Sequence, residues 1–222
     1  MPDINAEELL RKAWVEFCND YDKKVREYSK SEFVGSRKQA KTEHWILWNE
    51  YDLMVQLGRF FYDQLARNSL SEIEMHTNKK LGSSFNGYDF KSELKKLKWQ
   101  LDEREAQPDL IIVQEDSLGP FLLCAEAKCF HCSERGTAKA AIEKDIETLE
   151  AIRDLGIAER VVFILFDDYY WIQNEDIESV AENACKEHNI IPIDAQFESK
   201  SRTLEMTNNR AGLKTGPYVL TP

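Results

Sequence analysis

The chain has 222 residues, 42% of them apolar, which is enough to build a substantial core in one α/β domain with extra helices. Forty acidic side chains against 29 basic ones leave a net charge of −11, an awkward balance for a protein that grips phosphate backbones. No apolar run reaches about 18 residues, so a membrane-spanning helix is excluded.

The start of the chain, Met1-Pro2-Asp3-Ile4-Asn5, lacks the basic and apolar regions of a secretory leader. Five cysteines, an odd number, fit a reducing compartment better than a disulfide framework. A cytoplasmic protein with no membrane partner is therefore expected. The acid is unevenly spread: residues 140–187 hold 13 Asp and Glu against 4 Lys and Arg, and the remainder is close to balanced. Basic groups gather at Arg37, Lys38 and Lys41, at Lys79 and Lys80, at Lys91, Lys95, Lys96 and Lys98, and at Lys200, Arg202, Arg210 and Lys214. Such clusters either form a positive face or serve as solvated surface.

Residues 5–28 read as a first helix, with Leu9, Leu10, Ala13, Phe17 and Tyr21 on one side. Residues 29–41 read as a polar connection. A long helix over 43–67 follows, with Ile46, Leu53, Leu57 and Phe61 on one stripe and Met54 and Phe60 widening it. Glu50 falls on that inward stripe, whereas Asp52 projects elsewhere. Glu43 is a weaker candidate near the helix start. Residues 73–76 read as a short edge strand carrying His76, a structural or solvated histidine on this pattern. Residues 78–107 are polar, and Leu94, Leu97 and Leu101 predict a short helix within them.

Pro108 to Lys128 is the most informative stretch. Two apolar runs, Leu110–Val113 and Phe121–Ala125, flank the turn-like Glu115-Asp116-Ser117-Leu118-Gly119-Pro120. A hairpin symmetric about 116–119 sets Asp109 across from Glu126. Side chains alternate faces along a strand, so Glu126 and Lys128 point the same way. Two carboxylates and an amine then converge on an apolar hairpin, where charges are costly to bury without partners.

After the hairpin, Gly136-Thr137 predicts a helix start with Thr137 as N-cap, and Gly156 predicts its stop. Asp145 in this helix is expected to cap or pair locally. Val161–Phe166 reads as a buried central strand, 177–188 as a helix and 190–193 as a last strand. Asp167-Asp168 is expected to start a turn before Tyr169-Tyr170-Trp171. Cys129-Phe130-His131-Cys132, with Cys124 nearby, lacks the second ligand pair of a zinc or iron–sulfur site, so ordinary thiols are expected.

Pro108-Asp109 and Glu126-Ala127-Lys128, on two apolar strands with a helix on each side, resemble the PD-(D/E)XK nuclease superfamily. The motif is short, and its weight comes from that context. The resemblance implies an α/β fold: a three-layer α/β/α sandwich with a mixed central sheet, restriction-endonuclease-like. It implies one nuclease-like domain over 1–222, with a helical extension at 1–42, a core at 43–198 and a tail at 199–222. It implies that Asp109, Glu126 and the Ala127 carbonyl hold Mg²⁺ or Mn²⁺, with Glu50 as the third carboxylate. Lys128 would orient the attacking water or accept its proton. The expected reaction is phosphodiester hydrolysis of nucleic acid, DNA first among candidates, and a homodimer is compatible with it although no dimerisation signature is present. The alternatives are a nuclease-fold module that binds nucleic acid or protein without cutting or only with a partner, and a protein in which these residues form a structural ion network.

Overall fold

The computed structural model describes residues 5–29, 50–81, 84–85, 88–89, 91–102, 106–117, 119–130, 135–167, 175–194, 204–206 and 218–220. Their elements in chain order are α1 (Ala6–Ser29), α2 (Glu50–Arg67), β1 (Ile73–Thr77), β2 (Ser84–Phe85), β3 (Tyr88–Asp89), α3 (Lys91–Gln100), β4 (Leu110–Gln114), β5 (Leu123–Phe130), α4 (Arg135–Asp154), β6 (Val161–Asp167), α5 (Glu175–Glu187), β7 (Ile191–Asp194), β8 (Leu204–Met206) and β9 (Tyr218–Leu220). The expected connection at 29–41, the 43–49 part of the long helix, Asp168 to Trp171 and Cys132 lie outside the described residues, Ser29 apart. So do the basic clusters at 37–41 and 200–214.

Five strands form one mixed sheet in the order β1-β4-β5-β6-β7. β1 pairs with β4 and β4 with β5 antiparallel, while the helical crossovers α4 and α5 make β5, β6 and β7 parallel. The expected edge strand at 73–76 is β1. β2–β3 and β8–β9 form separate two-stranded sheets. The strand at 191–194 is thus not the last, because the short pair β8–β9 follows it.

Strand alternation sorts the core into two layers. Leu110, Ile112, Ala125, Ala127, Val162, Ile164 and Phe166 pack with α1 and α2 on one face. Ile111, Val113, Cys124, Phe163 and Leu165 pack with α3, α4 and α5 on the other. Helices therefore cover both faces of an α/β sheet. α1 contributes Leu10, Ala13, Phe17 and Tyr21 to the first layer, so it belongs to the core as fully as α2 does. The predicted stripe of α2 is buried: Leu53, Met54, Leu57, Phe60 and Phe61 all face inward. No described helix is long and apolar enough to cross a membrane.

α2, α4 and α5 stop in the same way. After α4, Gly156 takes φ +66°, its amide donates to Arg153 O at 2.9 Å, and the Ile157 amide donates to Ile152 O at 3.0 Å. Asn189 and Ser69 hold the equivalent left-handed positions after α5 and α2. The expected start of α4 needs correction. Arg135, Gly136 and Thr137 are already helical, so Thr137 is not the N-cap. A glycine in the first turn costs only about 1 kcal/mol and does not block the helix.

Candidate functional site

β4 pairs with only the first part of β5. The register runs Leu110↔Ala125, Ile111↔Cys124 and Ile112↔Leu123. One step further sets Asp109 opposite Glu126, as the symmetric hairpin predicts. The turn itself is wider than the sequence suggests. β5 begins at Leu123, and Phe121 instead bridges Ala158 on the β6 side. Because β4 starts at Leu110, the Ala127 amide has no strand residue opposite it. The Asp109 carboxylate accepts that amide at 2.8 Å. The Asp109 backbone carbonyl in turn takes the Asn78 amide at 3.0 Å, which ties the site to the end of β1.

Glu126 and Lys128 stand on the α4 side of β5, with Cys124. Glu126 is 8% exposed. Burial first, then the Asp109 and Asp145 carboxylates, hold its carboxyl well above the usual range, and a hydrogen bond with Asp109 adds to this. Lys128 pulls the other way. Glu126 is thus the carboxyl of this site most disposed to hold a proton.

Lys128 Nζ lies 2.8 Å from Asp145 Oδ2 on α4 and 3.4 Å from Glu50 Oε1 on α2. It also approaches the Ala127 carbonyl at 3.4 Å. One ammonium therefore links helices from both faces at the point where β5 outruns β4. Burial alone would lower the Lys128 pKa. Asp145, then Glu50 and Asp109, outweigh that and raise it above the ordinary lysine value. Lys128 is a fixed cation here. Glu50 is pushed up by burial, drawn down by Lys128 and raised again by Asp109, and the Cys129 amide donates to it.

The expectation that Asp145 pairs locally is overturned, since its partner lies on β5. Sequence reasoning had the means to find this. Asp145 shares the inward stripe of α4 with Ile142, Ile146, Leu149 and Ile152, all fully buried. The same phase criterion that selected Glu50 selects it. His76 shares the site's face of the sheet, opposite Ile111, but its Nε2 lies 3.2 Å from Glu74 on its own strand. Cys124 is buried, and burial followed by Glu126 pushes its thiol up, as expected of an ordinary core cysteine.

Among the described residues, no group of three or more His, Cys, Asp and Glu side chains is gathered to hold a metal ion. Glu50 and Asp145 are turned to Lys128 instead. Asp109 and Glu126 nevertheless fit a divalent cation by their chemistry. They are two hard oxygen donors close enough to share a proton, and Mg²⁺ is commonly held by one or two carboxylates with waters and a substrate phosphate. A cation between them would also offset the burial and the like-charge repulsion that together raise the Glu126 pKa.

No protein-family model matches the chain, and no curated protein matches it in sequence.

Proposed function

We propose that this chain is a metal-dependent nuclease that hydrolyses phosphodiester bonds, with DNA as the first polymer to test. One observation carries the proposal. Asp109 lies across from Glu126 just before β4 begins, and Lys128 follows two residues later on the same face. This arrangement resembles that of the PD-(D/E)XK nucleases, and the mixed sheet with helices on both faces is compatible with their fold.

Asp109 and Glu126 would hold Mg²⁺ or Mn²⁺, with the Ala127 carbonyl beside them. The ion, when bound, polarises the scissile phosphate and lowers the pKa of a water. Lys128 would not accept a proton, because its carboxylate neighbours keep it charged. It donates to the attacking water or to a phosphate oxygen and stabilises the charge that develops there. Asp145 fixes its position. Glu50, held up toward neutrality beside Lys128, is the carboxylate suited to take the water's proton.

The double pairing of Lys128 with Asp145 and Glu50 favours a second reading, a structural ion network in a module that does not cut. A cleavage assay separates the two. Single- and double-stranded DNA and RNA would be offered to the wild type in Mg²⁺ or Mn²⁺, then in chelator, then to Asp109→Asn and Lys128→Met. Circular dichroism would report the fold. The nuclease reading expects cleavage that vanishes in chelator and falls by at least about 100-fold in each variant. Folded variants that cut as the wild type does would sink it.

A further inference from the structure

The helix α3 carries a surface that the site chemistry leaves unused. Leu97 and Leu101 are buried at 1% and 5% exposure, and they pack in the core layer on the site's face of the sheet. At 3.6 residues per turn, Lys95, Lys96 and Trp99 then fall on the opposite side of the helix, with Lys98 flanking them. Trp99 is 75% exposed, more than any other large apolar side chain among the described residues. Lys95, Lys96 and Lys98 are exposed around it. The segment KSELKKLKWQ holds four lysines and one glutamate in a chain of net charge −11.

Ala106 and Gln107, just before Asp109 in the chain, are tied to the segment that follows β1. The Leu81 amide donates to Ala106 O at 3.1 Å, and Gln107 Nε2 donates to Asn78 O at 2.8 Å. These bonds hold the exposed Lys79 and Lys80 beside the strand end that carries Asp109.

We propose that α3 is a docking surface for single-stranded nucleic acid, with Trp99 stacking on one unpaired base while Lys95, Lys96 and Lys98 neutralise its phosphates. Its ligand class rests on the nuclease reading. Charge complementarity selects a polyanion, and the exposed indole selects an unpaired base. A duplex hides its base faces in the stack, whereas a single strand offers them to an aromatic platform of any sequence. The lysines supply the backbone attraction that the acidic remainder of the chain opposes.

The test is fluorescence anisotropy with a labelled oligothymidylate and with a duplex of equal length, in chelator so that nothing is cut. The expected result is that Trp99→Ala weakens oligothymidylate binding about tenfold, the loss of one stacked base, and weakens duplex binding less than about twofold. Replacing Lys95 and Lys96 with alanine lowers the slope of log affinity against log salt by about 1.4. Wild-type protein that binds no oligonucleotide overturns the proposal. So do variants that bind as the wild type does, or a Trp99→Ala protein that loses only self-association, which would place a second copy on α3. A wild type that cleaves while Trp99→Ala binds normally would overturn the docking surface and leave the nuclease standing. Binding that needs Trp99, in a protein that cleaves nothing, would support the surface and sink the nuclease.

Discussion

The Nζ of Lys128 stands 2.8 Å from Oδ2 of Asp145, joining β5 to α4 beside the Glu126 carboxyl, whose pKa is raised by burial and its acidic neighbours. Both side chains are largely withdrawn from water, at 15% and 17% exposure. Breaking such a pair removes the shorter charge contact from a largely buried site.

Lys128→Met and Asp145→Asn are each expected to cost about 2–3 kcal/mol in urea denaturation. The double variant should cost less than the two together, by a coupling of about 1–3 kcal/mol. Strictly additive losses would mean that the contact carries no energy.

Glu126 makes stability depend on pH in a definite direction. Its native pKa is raised above the unfolded value of 4.5, so the folded state holds the proton more tightly. The stability it contributes is complete below pH 4.5 and is lost as pH rises from there through the raised native value. Without metal, Glu126→Gln should therefore become progressively more stable than the wild type as pH climbs through that window. Denaturation midpoints of the two proteins at several pH values check this. A gap that moves toward the wild type with rising pH would reverse the assignment.

Divalent cation should act through the same carboxyl. At about 100 times its dissociation constant, a cation that binds only the native state adds about 2.7 kcal/mol. Mg²⁺ or Mn²⁺ should raise the melting temperature of the wild type and do little for Asp109→Asn or Glu126→Gln. Equal shifts in all three proteins would place the cation elsewhere.

The core on the α1 face offers a test of the fold. Phe166 on β6 meets the rings of Tyr21 at 5.0 Å, Phe17 at 5.7 Å and Trp14 at 6.1 Å. Phe166→Ala should cost about 3–5 kcal/mol, the range for a buried aromatic that leaves a cavity. A loss below about 1 kcal/mol would mean that α1 does not seal this layer.

Much of the site could be read from the chain because it depends on short-range geometry. Alternation sets Glu126 and Lys128 on one face, and the hairpin's symmetry sets Asp109 opposite Glu126. Helical phase turned Glu50 inward, and the same rule applied to Asp145 would have found it. The start of α4 and the later strands β8 and β9 escaped, because end signals are weak and short strands carry little pattern.

By itself, the sequence determined the alternating strands, the buried stripes of the helices, and which charged side chains had to face inward. Only the tertiary structure decided what those charges do to one another. β4 begins one residue after Asp109, which frees the Ala127 amide for its carboxylate. α4 packs so that Asp145 claims Lys128, which keeps the lysine a cation, while burial and then the Asp109 and Asp145 charges raise the Glu126 pKa. Protonation follows from burial and through-space charge, and neither exists until elements distant in the chain are packed together.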